Sequence, residues 1–506
     1  MQRQRMNRQR RASRSGLAVV LAVTGAVALP AARAVADDRV PVPPVAPRFH
    51  DDFNGDGYGD LAVGTPSATV AGKYRAGYVA VLYGSASGLK TSTKRVFTQN
   101  SAGIPGTAEA GDEFGSALTS ADLDRDGFAD LVVGVGGEDT GGGLNSGVVE
   151  VLWGGVRGLS SGTVARSGSE GDHLGAQGRL AAGDADGDGA IDLLTVVNQH
   201  DLSLTGGPFT RGGSAAGRRQ VVKDAYDSHV MDLAVGDING DGVTDVVAAE
   251  NDADEFDSRR IVYWYGTHQG LTPYTLVYDV DGAGLMGGEN LDVGDVNADG
   301  YDDIVVGRAV DGYDSDLDTY RAKGGRITWI PGTAAGPDGV RATFFSQATP
   351  GVPGGAEKGD RFGTDVQVGD VDGDGYEDVV TGLPGEDRHR EDLDQSNIGM
   401  VAYLRGTADG LTAVGARVVS QDSWGAIPGA SEPGDAFGSA LHLGDSNGDG
   451  REDMSVGAPG ENSSSGSVWG FRSEAYVVSA GNTIIFGNSL LGTNRTKARL
   501  GSGFAY

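Results

Sequence analysis

The chain has 506 residues and is strongly acidic: 70 aspartates and glutamates stand against 40 lysines and arginines, for a formal net charge of −30. This charge argues against a nucleic-acid-binding protein, because phosphate contacts require lysine and arginine. There is no cysteine, which excludes disulfides, thiolate metal sites and a cysteine nucleophile. Glycine is abundant, at 86 residues without a collagen-like period, and therefore indicates many turns.

Residues 1–36 read as an export signal. A start rich in arginine precedes the apolar run Leu17–Leu29, and small residues offer cleavage sites after Ala34 or Ala36. The apolar run is too short to span a bilayer. We therefore expect a secreted or cell-surface protein without a transmembrane segment. Residues 37–47 form a short linker rich in proline and valine, and residues 48–506 form the folded region.

The folded region is organised around an acidic loop, of which Asp370–Asp378 (DVDGDGYED) is the clearest copy. Its carboxylates occupy positions 1, 3, 5 and 9, and Gly375 permits the sharp turn. Oxygen ligands on alternate residues of a tight loop suit a hard cation that takes six to eight oxygens at ~2.3–2.6 Å. The backbone carbonyl of position 7 would complete the set. The loop therefore predicts a Ca²⁺ site.

The loop occurs seven times, which predicts up to seven Ca²⁺ ions. The residues at positions 1, 3, 5, 7 and 9 are Asp52, Asn54, Asp56, Tyr58 and Asp60 in loop 1; Asp122, Asp124, Asp126, Phe128 and Asp130 in loop 2; Asp184, Asp186, Asp188, Ala190 and Asp192 in loop 3; Asp237, Asn239, Asp241, Val243 and Asp245 in loop 4; Asp295, Asn297, Asp299, Tyr301 and Asp303 in loop 5; Asp370, Asp372, Asp374, Tyr376 and Asp378 in loop 6; and Asp445, Asn447, Asp449, Arg451 and Asp453 in loop 7.

An EF-hand is the competing metal motif, and it requires a glutamate at position 12 and flanking helices. Here position 12 never offers a ligand; it is Val63, Val133, Thr195, Ala248, Val306, Thr381 and Val456. The chain instead continues into a β-branched apolar run, which predicts a strand. The seven loops are therefore expected to be strand–loop–strand sites.

Each repeat has the same order of elements. An approach strand, often written with Phe-Gly as in Phe114-Gly115, precedes the calcium loop. A short apolar strand ending near Gly or Gly-x-Pro follows, then an alternating strand such as Tyr78–Tyr83 and a last β-rich segment such as Arg95–Phe97. Four short strands per repeat predict a propeller blade, and seven repeats predict an all-β, seven-bladed β-propeller.

The first repeat lacks a Phe-Gly approach strand, since only residues 47–50 precede its loop. The segment Arg499–Ala505 resembles Phe114–Leu118. We therefore predict that the C-terminal segment supplies the inner strand of the first blade and closes the ring.

The motifs resemble a known family. Phe437-Gly438, the loop Asp445–Asp453 and Gly457-Ala-Pro459 are similar to the FG-GAP repeat of the integrin α-subunit propeller. The likeness is specific in repeats two, six and seven, whereas in the others the Phe-Gly or Gly-Ala-Pro part decays and the calcium loop remains. It implies seven blades with metal loops on one face and partner-binding loops on the other. Integrins carry calcium in a subset of blades, whereas all seven loops here have a full set of oxygens.

We interpret the calcium as structural, because carboxylates crowded in one turn repel each other without the ion. Loops 2, 3 and 6 have four carboxylates and are expected to bind more tightly than the loops with asparagine at position 3. The partner surface is expected opposite the loops, where two long charged insertions lie, Asp311–Lys323 and Glu386–Asp394. Asp314, Asp316 and Asp318 could hold a further cation.

These features favour a monomeric binding or adhesion module for an extracellular protein or glycan, which would not be an enzyme. The alternative is a secreted polysaccharide hydrolase or lyase on a calcium-bearing propeller. The string Gly158-Leu-Ser160-Ser-Gly162 matches G-x-S-x-G, but it lies between two predicted strands and lacks the strand-to-helix context of a nucleophile elbow. A carboxylate pair for glycoside hydrolysis stays open, because an acidic chain offers many candidates.

Overall fold

The computed structural model of the protein describes residues 51–505, apart from 177, 224–227, 253–257, 316–317, 391–392, 424–429 and 475–476. The predicted export signal and linker lie outside these residues and stay predictions. The helical elements in the described ranges are short: α1 (Glu461–Ser464), α2 (Asn488–Leu491) and a 3-10 turn at Gly339–Arg341. None is long or apolar enough to cross a membrane.

The described strands form seven four-stranded antiparallel sheets, one for each blade. Numbered in chain order and given from the inner to the outer strand, they are β32 (Gly503–Phe504), β1 (Leu61–Thr65), β2 (Tyr78–Tyr83) and β3 (Lys90–Phe97) in blade 1; β4 (Phe114–Ala121), β5 (Asp130–Val135), β6 (Val148–Trp153) and β7 (Ser161–Ser167) in blade 2; β8 (Leu180–Gly183), β9 (Asp192–Val197), β10 (Asp201–Thr205) and β11 (Arg219–Val222) in blade 3; β12 (His229–Gly236), β13 (Asp245–Asp252), β14 (Ser258–Trp264) and β15 (Thr275–Leu276) in blade 4; β16 (Asn290–Gly294), β17 (Asp303–Arg308), β20 (Arg326–Ile330) and β21 (Thr343–Phe345) in blade 5; β22 (Val366–Gly369), β23 (Asp378–Leu383), β26 (Met400–Arg405) and β27 (Thr412–Val419) in blade 6; and β28 (Ala440–Gly444), β29 (Asp453–Ala458), β30 (Ser467–Glu474) and β31 (Val477–Gly487) in blade 7.

Two small hairpins lie in the insertions between the second and third strands of blades 5 and 6. They are β18 (Tyr313–Asp314) with β19 (Thr319–Tyr320), and β24 (Arg388–Arg390) with β25 (Leu393–Gln395). In the first insertion Asp314 pairs with Arg321 at 3.2 Å, and the Tyr313 hydroxyl donates to Asp318 at 2.6 Å. These carboxylates therefore have separate protein partners, and Asp316 lies outside the described residues. The predicted cation site in this insertion therefore stays a prediction.

The blades close into a ring. The inner strands contact one another in the order β32, β4, β8, β12, β16, β22 and β28, and β28 contacts β32 again. A buried apolar cluster lies at each of these seven junctions of the described chain. Between blades 6 and 7, for example, Tyr403 packs with Phe437 and Trp469, whose ring centroids are 5.5 Å apart. The core thus lies between blades, which makes neighbouring blades depend on each other for burial.

The C-terminal segment closes the ring, as predicted. Residues Gly503 and Phe504 of β32 pair antiparallel with Gly64 and Val63 of β1. Phe504 is 2% exposed, and Ala505 donates its backbone N–H to the carbonyl oxygen of Ala62. The first blade is therefore built from both ends of the folded region, which leaves no open inner edge on β1.

The glycines of the repeat meet across the blade junctions. A Cβ on Gly382, in the second strand of blade 6, would lie 1.9 Å from the carbonyl oxygen of Gly438, which belongs to the Phe-Gly pair of blade 7. Such an approach has room only for hydrogen. The same contact joins Gly64 to Gly115, Gly134 to Gly175, Gly307 to Gly363 and, at the closing junction, Gly457 to Gly501. The glycine of the Phe-Gly pair and the glycine of the second strand therefore both allow one blade to pack closely on the next.

Candidate metal centres

All seven acidic loops lie at one end of the blades. In blades 2 to 7 each loop joins the inner strand to the second strand, and position 9 is the first residue of that second strand. In blade 1 the loop runs directly into β1. Since the strands are antiparallel, the connections between second and third strands, including both insertions, lie at the opposite end. The predicted separation of a loop face from a second face is thus present in the fold.

The aspartate at position 1 shapes the loop. In loop 1 the Oδ1 atom of Asp52 accepts the backbone N–H of Gly55 at 2.7 Å, and its Oδ2 atom accepts that of Gly57 at 2.8 Å. Asp445 in loop 7 makes the same bonds to Gly448 and Gly450, at 2.7 and 2.8 Å. The bond from position 6 recurs in the other five loops, at 2.8–3.0 Å, to Asp122, Asp184, Asp237, Asp295 and Asp370.

The loops are also linked to each other. In loops 1, 2, 4, 5 and 7 the backbone N–H at position 8 donates to the carbonyl oxygen at position 1 of the preceding loop, as from Glu452 to Asp370 at 3.1 Å. The bond recurs across the closing junction, from Gly59 to Asp445 at 2.9 Å. These bonds link loops 6, 7, 1 and 2 in one series and loops 3, 4 and 5 in another, so that ordering of one loop restrains its neighbour.

The carboxylate at position 9 is buried at the base of each loop. Asp130 is 0% exposed; its Oδ1 atom accepts the N–H of Gly154 at 2.8 Å and its Oδ2 atom that of Leu123 at 3.1 Å. Burial, reinforced by repulsion from Asp124 and Asp122, raises its pKa to about 7. Burial likewise raises the pKa to about 7 at Asp192, Asp245, Asp303 and Asp378, and to about 9 at Asp60. A positive charge within the loop would remove this penalty on the ionised form.

Carboxylate oxygens converge in the three loops that have four aspartates. In each, three carboxylates place one oxygen apiece within 4.8 Å of the others; the groups are Asp122, Asp124 and Asp130, then Asp184, Asp186 and Asp192, and Asp370, Asp372 and Asp374. At position 3 of these loops the Oδ1 atoms of Asp124, Asp186 and Asp372 are buried and have no hydrogen-bond partner. Buried oxygens without a donor, close to other oxygens, fit a hard cation.

Asparagine at position 3 behaves differently. In loops 1, 4 and 5 its Oδ1 atom accepts the N–H of position 5 at 2.9 Å. In loop 7 the Nδ2 atom of Asn447 donates to both oxygens of Asp453, at 3.1 and 2.9 Å, and Ser446 also donates to Asp453. Among the described residues, three of the four predicted side-chain positions thus converge in loops 2, 3 and 6, whereas the seven-site ligand set stays a prediction. At position 7, expected to act through its carbonyl, the backbone N–H donates to position 5 in loops 2 to 7.

Two arginines contact the acidic loops, although the sequence analysis did not predict either contact. Arg405, at the end of β26, donates from Nε to Asp372 at 3.0 Å and also contacts Asp374. Arg211, from blade 3, bridges to loop 2 in blade 2, where it pairs with Asp124 at 2.7 Å and contacts Asp126. The sequence offers a local signal for Arg405 alone, because Arg405 directly precedes Gly406. The backbone N–H of Gly406 donates to Asp378, the residue at position 9 of loop 6. The two arginine side chains neutralise part of the loop charge.

The G-x-S-x-G string lies between two strands, as predicted. Ser160 lies in the connection between β6 and β7, and β7 begins at Ser161. A strand therefore follows the serine, where a nucleophile elbow requires a helix.

Known proteins share these repeats. The family model described as "FG-GAP repeat" matches residues 50–82, 114–151, 362–404 and 437–471, which are parts of blades 1, 2, 6 and 7. Blade 1 is matched although its motif is incomplete in sequence.

Similar proteins include phosphatidylinositol-glycan-specific phospholipase D of Rattus norvegicus, 34% identical over 35% of this chain and 20% of its own length. Integrin alpha pat-2 of Caenorhabditis briggsae is 28% identical over 52% of this chain and 20% of its own, and integrin alpha-5 of Xenopus laevis is 28% identical over 31% and 14%. The chain thus spans a fifth or less of the length of these relatives. The chain therefore carries FG-GAP repeats, and its seven-bladed β-propeller is similar to integrin alpha chains.

Proposed function

We propose that the chain is an exported, calcium-binding β-propeller that acts as a binding or adhesion module for an extracellular protein or glycan. Calcium has a structural role in this proposal, and the partner surface lies opposite the calcium loops. The observation that carries the proposal is the recurrence of one loop geometry in all seven blades, with carboxylate or amide oxygens gathered around a turn that backbone N–H groups already hold.

The loops support calcium for two reasons. Position 9 is buried as a carboxylate whose pKa is raised, so the ionised form needs a nearby cation. The buried Oδ1 atoms of Asp124, Asp186 and Asp372 have no donor. Ca²⁺ takes six to eight oxygen ligands in flexible geometry, and extracellular sites bind it at about 10⁻⁴–10⁻³ M. A bound ion would link position 9, on the blade, to positions 3 and 5, at the tip of the loop.

The face opposite the loops offers a place for a partner. Beside the blade 5 insertion lies an open cavity of about 500 Å³, lined by Arg321, Lys323, Arg326 and Phe344. Phe344 is 46% exposed, and the Arg326 guanidinium lies 4.4 Å from its ring centroid. Three cationic side chains around an exposed aromatic ring stand out in a chain of net charge −30. This lining suits an acidic sugar or an acidic protein segment.

Thermal melts in millimolar Ca²⁺ and in chelator, with bound ions counted by native mass spectrometry, test the calcium part. We expect a calcium-dependent rise in Tm and about one ion for each loop. A melt that chelator does not change, with no ions retained, would contradict it.

Glycan and cell-wall binding screens test the partner part, with Lys323→Ala and Phe344→Ala as the variants. Val414→Ala is the control, since Val414 is an exposed residue of blade 6, outside the cavity. Unchanged binding in both cavity variants would exclude the blade 5 cavity as the partner site.

A further inference from the structure

A second kind of polar cluster recurs at the blade junctions, on the face opposite the calcium loops. Each copy combines a glutamine after the outer strand of one blade with an aspartate before the inner strand of the next blade and a glutamate after that blade's second strand. We name these clusters triads. They are Gln99, Asp112 and Glu138 between blades 1 and 2; Gln347, Asp360 and Glu386 between blades 5 and 6; and Gln421, Asp435 and Glu461 between blades 6 and 7.

The glutamine amide contacts the glutamate carboxyl group. Its Nε2 atom donates to an Oε2 atom of the glutamate at 2.7 Å in the first triad, 2.8 Å in the second and 2.9 Å in the third. The aspartate uses one oxygen to accept a backbone N–H within its own turn, as Asp435 does from Glu432 at 2.6 Å. In the third triad burial raises the pKa of Glu461, and the Asp435 carboxylate is near enough to raise this pKa further by repulsion.

The amide oxygen of each glutamine has no partner. The Oε1 atoms of Gln99, Gln347 and Gln421 are buried without a hydrogen bond, and the side chains are only 3%, 5% and 1% exposed. A buried amide oxygen without a donor is unfavourable. The same unsatisfied atom at three equivalent positions indicates a shared cause.

The closing junction between blades 7 and 1 provides a natural comparison. Backbone hydrogen bonds identify the equivalent positions: Gly77 donates to Ala68 as Gly466 donates to Glu461, and Leu500 donates its N–H to Ser465 as Phe437 does to Ile398. Ala68 thus replaces the glutamate and Ala498, two residues before Leu500, replaces the aspartate.

The glutamine position at that junction holds Asn488. Its Oδ1 atom accepts hydrogen bonds from the Tyr78 hydroxyl at 2.6 Å and from Thr493 at 2.7 Å, and its Nδ2 atom donates to the carbonyl oxygen of Ser465 at 2.7 Å. Where the carboxyl pair is absent, the amide is satisfied by protein groups alone. Ala68 and Ala498 are fully buried there, so the junction packs without any carboxyl group.

Ionisation of the aspartate and glutamate carboxyl groups is unfavourable when no positive charge is near. Burial, followed by repulsion from neighbouring carboxylates, raises the pKa of Glu461 and of Asp360 to about 7, and it raises the pKa of Asp112 as well. Buried charges in proteins are paired or coordinate metals.

We infer that each triad binds a divalent cation of the calcium class, held by the aspartate and glutamate carboxylates and by the glutamine Oε1 atom. These cations join neighbouring blades on the face that the calcium loops do not reach. Carboxylate and amide oxygens are the ligands that hard cations take. The inference is independent of the partner proposal, and its ions are additional to those of the loops.

The double variant Asp435→Ala/Glu461→Ala tests the inference, because it copies the alanines of the closing junction. Calcium is titrated alone, bound ions are counted by native mass spectrometry at saturation, and the fold is followed by circular dichroism. We expect the variant to lose one calcium relative to the wild type. The isosteric variant Asp435→Asn/Glu461→Gln should lose the same ion while it preserves shape. Glu432→Gln, which removes an exposed charge next to the triad, should lose none.

An unchanged ion count in either folded double variant would overturn the inference and identify the pairs as protonated carboxyl groups. If neither variant folds, the wild-type count decides: more than seven ions supports the inference, and seven or fewer overturns it. The loop variant Asp374→Ala separates the two kinds of site. If that variant keeps every ion while the triad variants lose one, the loop proposal fails and the triad inference stands.

Discussion

Loops 3 and 6 have the same four aspartates but different surroundings. In loop 6 Arg405 pairs with Asp372 and contacts Asp374, and the Tyr403 hydroxyl donates to Asp378 at 2.9 Å. In loop 3 the ion pair between Arg125 and Asp188 is long, at 3.8 Å. The buried Oδ1 atom at position 3 is without a donor in both. The number of carboxylates is therefore an incomplete guide to calcium affinity, because part of the charge in loop 6 is already neutralised.

This difference refines the ranking expected from the motifs. The sequence grouped loops 2, 3 and 6 as the tightest sites. Arg211 at loop 2 and Arg405 at loop 6 compete with an incoming cation. We therefore expect loop 3 to bind calcium most tightly of the three.

The largest effect should come from removal of calcium. At a hundredfold excess of ion over its Kd, each site stabilises the fold by about 2.7 kcal/mol, so chelation should lower Tm strongly. It should also open loop 3 more than loop 6, because the Arg125–Asp188 pair of loop 3 is longer, at 3.8 Å, than the Arg405–Asp372 pair of loop 6, at 3.0 Å. Hydrogen exchange of segments 184–192 and 370–378, with and without chelator, measures the difference. Equal loss of protection in the two segments would contradict the comparison.

Loss of the buried ligand should have the next largest effect. Asp192→Asn and Asp378→Asn replace the position 9 carboxylate by a neutral amide of the same shape. Each should weaken calcium binding at its own loop at least about tenfold, or ~1.4 kcal/mol, because the ligand that joins the loop to the blade loses its charge. Site-resolved exchange in a calcium titration measures the change, and the untouched loop of each variant is the internal control.

The ligand at position 5 tests the influence of position 3. Asp374→Ala removes one of four carboxylates from loop 6, and Asp56→Ala removes one of three from loop 1. We expect the larger affinity loss in loop 6, where the remaining carboxylates converge on the lost ligand. Calorimetric titration of both variants decides, and equal losses would remove the basis for ranking loops by carboxylate count.

The smallest effect should come from substitution of Arg405, which pairs with Asp372 in loop 6. Exposed ion pairs contribute about 0–1 kcal/mol, and Arg405 is 39% exposed. Arg405→Gln should therefore raise the calcium affinity of loop 6 by up to about fivefold and bring it closer to loop 3. Arg417→Gln, an exposed position on the neighbouring strand β27, should leave it unchanged. A weaker loop 6 in Arg405→Gln would mean that the arginine orders the loop for the ion.

Much of the architecture could be predicted from the sequence. The acidic loop, the strand after it and the Phe-Gly before it lie within one stretch of chain, so their spacing predicts local structure directly. Repetition of that stretch predicted seven blades. The likeness of Arg499–Ala505 to Phe114–Leu118 predicted the closing strand, which the pairing of Phe504 with Val63 confirms. Calcium binding and export stay predictions.

Other features depend on residues that are distant in sequence. Arg211 reaches Asp124 from the next blade, Gly382 meets Gly438 across a junction, and Gln99 meets Glu138 although 39 residues separate them. No local pattern marks such pairs, because a glutamine after one strand and a glutamate after another become neighbours only when blades pack. The chain encodes the blade and its acidic loop locally, whereas the Arg211 contact at loop 2 and the triads arise from the packing of one blade against the next.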